Sequence, residues 1–121
     1  MATILICDDE VPLRRLVAAT LDGLGHTLVE AEDGGRALYE IRARRPDLVV
    51  LDVMMPGCSG LDVLAEMRAD PALLETKVVV LTARAQLSDR DAALAAGADL
   101  FIAKPFHPHE LADAVQRLLA S

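Results

Sequence analysis

The 121-residue sequence has no tryptophan, one tyrosine and two phenylalanines. A chain so poor in rings must build its core from aliphatic side chains, and with 53% hydrophobic residues it has enough of them. Long apolar runs are also missing. None approaches the roughly 18 to 20 residues needed to cross a bilayer. The opening Thr3-Ile4-Leu5-Ile6-Cys7 meets Asp8 before a secretory signal core is complete. Cys7 and Cys58 are the only cysteines, too few for a disulfide scaffold, and point to thiols in a reducing compartment. Positive charge is in deficit: the formal net charge of −7 argues against nucleic-acid or anionic-membrane binding by this domain alone. The local cluster Arg42, Arg44 and Arg45 fits the last turn of a helix, where the dipole favours cations. These absences describe a soluble, acidic, cytoplasmic single domain over residues 1–121.

What the sequence does contain is a strict alternation of five short apolar runs with five amphipathic stretches. Thr3–Cys7, Leu48–Leu51 and Val78–Leu81 are almost continuously apolar, as strands buried on both faces should be. Thr27–Ala31 contains Glu30 and reads as an edge strand, and Leu100–Ala103 is the last and shortest. Leu13, Leu16, Val17, Leu21 and Leu24 keep helical spacing behind Pro12. Asp33-Gly34-Gly35 opens a second helix, Ser59 caps a third, Ser88-Asp89-Arg90-Asp91 starts a fourth that ends near Gly97, and Pro108 opens the fifth. The expected fold is α/β: a doubly wound, five-stranded parallel sheet of order 2-1-3-4-5, flavodoxin-like, with five helices.

In such a sheet the ligand site lies beyond the carboxyl ends of the strands. The first strand runs into Asp8-Asp9-Glu10, the third into Asp52, the fourth into Thr82 and the fifth into Lys104-Pro105. Strands one, three and four are neighbours in the expected order, so carboxylates and a hydroxyl converge, with Lys104 reaching in from the edge. Clustered carboxylates repel one another unless a hard cation offsets their charge, and Mg²⁺ suits carboxylate oxygens. Asp52 can supply an oxygen nucleophile for phosphoryl transfer, with Lys104 and Thr82 on phosphoryl oxygens. His107-Pro108-His109, superficially a metal pair, fits better as a helix start with His107 capping.

The acidic pair Asp8-Asp9, the run Asp52-Val53-Met54-Met55-Pro56-Gly57, Leu81-Thr82-Ala83 and Lys104-Pro105-Phe106 together resemble the signatures of response-regulator receiver domains, from Ile4 to Leu119. The resemblance implies that Asp52 is the phosphoacceptor and that Asp9 and Asp52 bind Mg²⁺ directly. It implies the backbone carbonyl of Met54 as a further ligand and Asp8 acting mainly through metal-bound water. Thr82 and Lys104 would contact the phosphoryl group, the Lys104–Pro105 bond would be cis, and Phe101 matches the switch aromatic. The donor implied is a histidine kinase or histidine phosphotransfer protein. The surface that would change is helix four, strand five and helix five.

Two other readings compete. An aspartyl-nucleophile, Mg²⁺-dependent phosphatase of the haloacid-dehalogenase type wants a second Asp two residues after the nucleophile, where Met54 stands. A degenerate receiver, serving as a constitutive interaction domain, is disfavoured because every phosphorylation residue is present. The sequence stops at Ser121, just past the fifth helix, which fits a stand-alone shuttle or the front of a longer regulator with an unknown output. Leu81-Thr82-Ala83-Arg84 and Gly97 to Phe106 resemble receivers of winged-helix transcription factors, which dimerise through helix four, strand five and helix five. Arg90 and Glu110 match one ion pair of that interface, but Leu100 and Ala114 replace a second, so the expectation is a monomer or a weak phosphorylation-dependent dimer. Met54 and Arg84 flank the path of attacking water in the family. A bulky apolar Met54 offers no amide or carboxylate to position that water. The phosphoryl group on Asp52 should therefore last well beyond seconds at neutral pH, which a decay time course after removal of phosphodonor would measure.

Overall fold

The computed structural model describes residues 2–53, 55, 59–82, 87–104 and 106–120, with residues 87–89 described by backbone alone. The elements run β1 (Thr3–Cys7), α1 (Val11–Asp22), β2 (Thr27–Ala31), α2 (Gly34–Arg44), β3 (Leu48–Asp52) and α3 (Gly60–Ala69). After a short 3₁₀ turn at Pro71–Leu73 come β4 (Lys77–Thr82), α4 (Leu87–Ala95), β5 (Leu100–Ala103) and α5 (Pro108–Ala120). The five strands are parallel in the order β2-β1-β3-β4-β5. This is the expected order, with the Glu30-bearing strand and the shortest strand at the two edges.

Alternation along each strand feeds two separate cores. Leu5, Cys7, Val49, Leu51, Val78 and Val80 face one side, where Ala37, Ile41, Val63, Leu64, Met67 and Ala93 of α2, α3 and α4 cover them. Ile4, Ile6, Leu48, Val50, Val79, Leu81 and Ile102 face the other, beneath Val17 and Leu21 of α1 and Leu111, Ala114 and Val115 of α5. Ala114, read above as a dimer-surface position, is part of this second core. Leu16 departs from expectation: it lies 46% exposed, because Val17 and Leu21 define the buried stripe of α1. No helix among the described residues is long and apolar enough to cross a membrane.

Local signals set the helix ends. Asp33 accepts from the Arg36 N–H, and Ser59 with Asp62 forms a reciprocal capping box. His107 Nδ1 accepts from the His109 N–H at 3.2 Å, so the histidine pair opens α5 as expected. Gly97 takes φ +109 after α4, a conformation that suits glycine at a helix end. Arg68 then ties that turn down: it donates to the carbonyls of Gly97, Leu73 and Leu74 and pairs with Asp99.

Two strands run further than the apolar pattern suggests. β3 includes Asp52 and β4 includes Thr82, because Asp52 pairs in register with Leu81 and Thr82 with Ala103. Both polar residues are thus fixed by the sheet and not by a loop. Gly60, at the start of α3, sits against the Asp52–Val53 backbone at the end of β3. A Cβ there would stand 2.8 Å from the Asp52 carbonyl carbon and from Val53 Cα, and closer still to the Asp52 oxygen. Gly60→Ala must push α3 from the end of β3, and should lower stability by about 1–3 kcal/mol in urea unfolding.

Candidate functional site

β1, β3 and β4 lie side by side and end at the same rim, so their terminal side chains meet. Asp8 is 2% exposed, Asp52 3% and Thr82 fully buried. Lys104 follows β5, and its own N–H donates to the Thr82 carbonyl at 2.8 Å, which holds the lysine against the neighbouring strand. Its Nζ stands 3.1 Å from Asp8 Oδ2 and 3.3 Å from Asp52 Oδ2, so one ammonium bridges two buried carboxylates. The other Asp8 oxygen, Oδ1, accepts the Glu10 N–H at 2.9 Å and tightens the turn into α1.

Asp9 and Glu10 are exposed at the mouth of this pair. Asp8, Asp9, Glu10 and Asp52 each offer a carboxylate oxygen, and the four lie within 4.8 Å of one another. Among the described residues Lys104 makes the ion pairs to this group and Arg14 reaches only the Asp8 carbonyl, so the four carboxylates outnumber the cations beside them. Such crowding is unfavourable unless positive charge enters. An all-oxygen donor set of this kind fits a hard divalent cation of the Mg²⁺ class.

The structure brings together Asp8, Asp9, Asp52, Thr82 and Lys104, all of the sequence-expected side chains at the strand ends. Phe101 lies apart from them, partly buried against the α2–α3–α4 core. Met54, the Lys104–Pro105 bond and Arg84 lie outside the described residues. Four neighbours of these side chains carry no role in the sequence pattern. Glu10 joins the acidic group, Gly60 seats α3 on the Asp52 backbone, and Arg14 donates to the Asp8 carbonyl at 2.8 Å. Met55 Sδ lies 3.2 Å from Cys7 Sγ. Glu10 was readable from its place beside Asp8-Asp9. The others depend on tertiary approach and left no signal in spacing.

A scan against family models matches the response regulator receiver domain over residues 4–116. The chain belongs to that family. Within it, the receiver is 38% identical over 117 residues to the phosphate regulon transcriptional regulatory protein PhoB of Pseudomonas aeruginosa, covering 97% of this chain and 51% of PhoB. The chain therefore spans about half the length of the curated relatives it matches. The receiver domain of Francisella response regulator 1452 superposes with a TM-score of 0.92 at 28% identity, covering 99% of this chain and 98% of that one. The chemotaxis response regulator CheY4 of Vibrio cholerae gives 0.91 at 30% identity, over 98% of each chain. This is a receiver of two-component response regulators, and phosphorylation-controlled signalling is its class of work. The relatives named here are response and transcriptional regulators.

Cys7, one residue before the site, illustrates the local electrostatics. Burial first, and then the charges of Asp8, Asp33 and Asp52, push its thiol from the ordinary 9.0 up to about 12. Arg14 opposes that shift without reversing it. The thiol therefore stays protonated at neutral pH and is a poor nucleophile. Above pH 9 the unfolded chain loses this proton while the folded chain keeps it, so stability falls as pH rises toward 12. Unfolding measured from pH 9 to 10.5 should show a shallower decline in Cys7→Ala than in wild type, by up to ~1.4 kcal/mol per pH unit. Equal slopes would show that burial does not hold the proton.

Proposed function

We propose that this receiver, a single domain over residues 1–121, accepts a phosphoryl group on Asp52 from a histidine kinase or histidine phosphotransfer protein in the cytoplasm. The observation that carries the reading is the Lys104 bridge between buried Asp8 and Asp52, set beside Thr82. By the family resemblance, Asp9, Asp52 and the Met54 carbonyl would hold Mg²⁺, with Asp8 acting through a bound water, and the ion would supply positive charge for a phosphoryl dianion to approach this acidic rim. The engagement of both Asp8 oxygens, by Glu10 N–H and Lys104, supports that less direct role for Asp8.

In the transfer, an Asp52 carboxylate oxygen forms a bond to phosphorus as the P–N bond of phosphohistidine breaks. The histidine nitrogen keeps the electron pair, and an acyl phosphate results. Lys104 donates to one equatorial oxygen and the Thr82 hydroxyl to another, so charge spread over the phosphoryl group finds partners that the strand ends hold close by. Lys104 then shifts weight from the carboxylates to the phosphoryl group. Thr82 moves toward the phosphoryl group, Phe101 turns further into the core, and the surface of α4, β5 and α5 changes for a downstream effector or output domain. Receptor and switch are thus separate residues on adjacent strands.

Incubation with MgCl₂ and a small acyl phosphodonor should add one phosphoryl group by intact-mass measurement, and chelation of the metal should abolish it. Asp52→Asn should take up none. Equal labelling of that variant would remove Asp52 from the role, and unchanged amide spectra on adding beryllofluoride would remove the switch.

A further inference from the structure

From the contacts of its guanidinium we infer that Arg14, braced by Glu30, is a positioning residue that fixes the Asp8–Glu10 turn in the geometry needed to hold the metal. The inference rests on the metal reading of the site given above. Arg14 lies in the first turn of α1 and donates through Nη1 to the Asp8 carbonyl at 2.8 Å. Through Nε it donates to Glu30 Oε1 at 3.0 Å, reaching across to edge strand β2. The arginine side chain is 13% exposed, whereas Glu30 is 44% exposed.

Consider what holds Asp8. The β1–β2 ladder ends at Cys7 opposite Ala31. One residue further on, the Asp8 N–H still reaches the Ala31 carbonyl at 3.2 Å, but its own carbonyl has passed the end of the sheet. Arg14 supplies the next rung and hands it to Glu30 on the same neighbouring strand. The peptide groups on both sides of Asp8 are thereby tied to β2, one directly and one through the guanidinium. Asp9 follows immediately, exposed, and its place in the acidic group depends on the path of this backbone. A planar guanidinium holds its acceptors in the fixed directions of its fork, whereas a lysine ammonium is a rotatable point charge.

An ordinary stabilising role makes a different forecast. An Arg–Glu pair at an exposed edge contributes little to stability, and it would not need the Asp8 carbonyl. Charge makes the opposite forecast: deleting a cation near four carboxylates should tighten binding of a divalent cation. Only positioning predicts that its removal weakens binding, since residues that orient metal ligands typically account for about 10- to 100-fold in affinity.

The experiment is a MgCl₂ titration of the intact chain, followed by amide chemical shifts well below the melting temperature. Arg14→Met, which keeps the stem and loses the fork, should weaken Mg²⁺ binding about 10-fold or more. Arg14→Lys, with the charge retained, should also weaken it. Glu30→Ala should do so to a smaller extent, and the double variant Arg14→Met/Glu30→Ala should be no worse than Arg14→Met, because Glu30 acts through Arg14. Should Arg14→Met fail to fold, Arg14→Lys and Glu30→Ala carry the same comparison. Wild-type affinity in the Arg14 variants that fold, or tighter binding, would overturn the inference while leaving the metal site standing. No Mg²⁺ binding by the wild type would overturn both.

Discussion

A lysine ammonium between two buried carboxylates is the contact on which this receiver's working end depends. Asp8 and Asp52 are carried on adjacent strands and point into the same small volume, so they would repel strongly in the low dielectric they share. Lys104 removes part of that cost from beyond β5, two strands from Asp52 and three from Asp8, and can do so because its backbone is pinned to Thr82. Strand order therefore does electrostatic work. A sheet with β5 placed elsewhere would leave both carboxylates without their cation.

Glu40 shows how the same chain treats a buried acid that needs no cation from outside. It is 4% exposed on α2 and meets two arginines, Arg36 and Arg44, one helical turn to either side. There the cations outnumber the acid. At the strand ends the balance is reversed, with four carboxylates around one lysine. One arrangement is closed and the other is left short of positive charge. That contrast sets the strand-end rim apart from the buried acid on α2.

Most of the fold was legible because a parallel sheet buried on both faces leaves a coarse pattern. Continuous apolar runs named the three central strands, Glu30 named an edge, and Pro12, Asp33, Ser59, Gly97 and His107 marked helix ends that the structure places as expected. The side chains at the strand ends were readable for the same reason, since strand order alone determines which termini are neighbours. What could not be read depends on distances between elements. Spacing does not reveal that Gly60 touches the Asp52 backbone, nor that Arg14 spans from Asp8 to Glu30. It also misplaced Leu16, because helical periodicity gives the width of an apolar stripe but not which of its margins meets the sheet. Asp52 and Thr82 were assigned to positions just past their strands, since polar residues break an apolar run even where the ladder continues through them.

The position of Lys104 has a mechanical side. β5 is the shortest strand and has a partner on one flank only, which makes it the natural place for the sheet to fray. Peeling it away would withdraw the ammonium and leave Asp8 and Asp52 facing each other unscreened. The repulsion built into the rim thus acts as a latch on the weakest seam of the sheet. Incoming positive charge would relax that repulsion and so loosen the latch at β5.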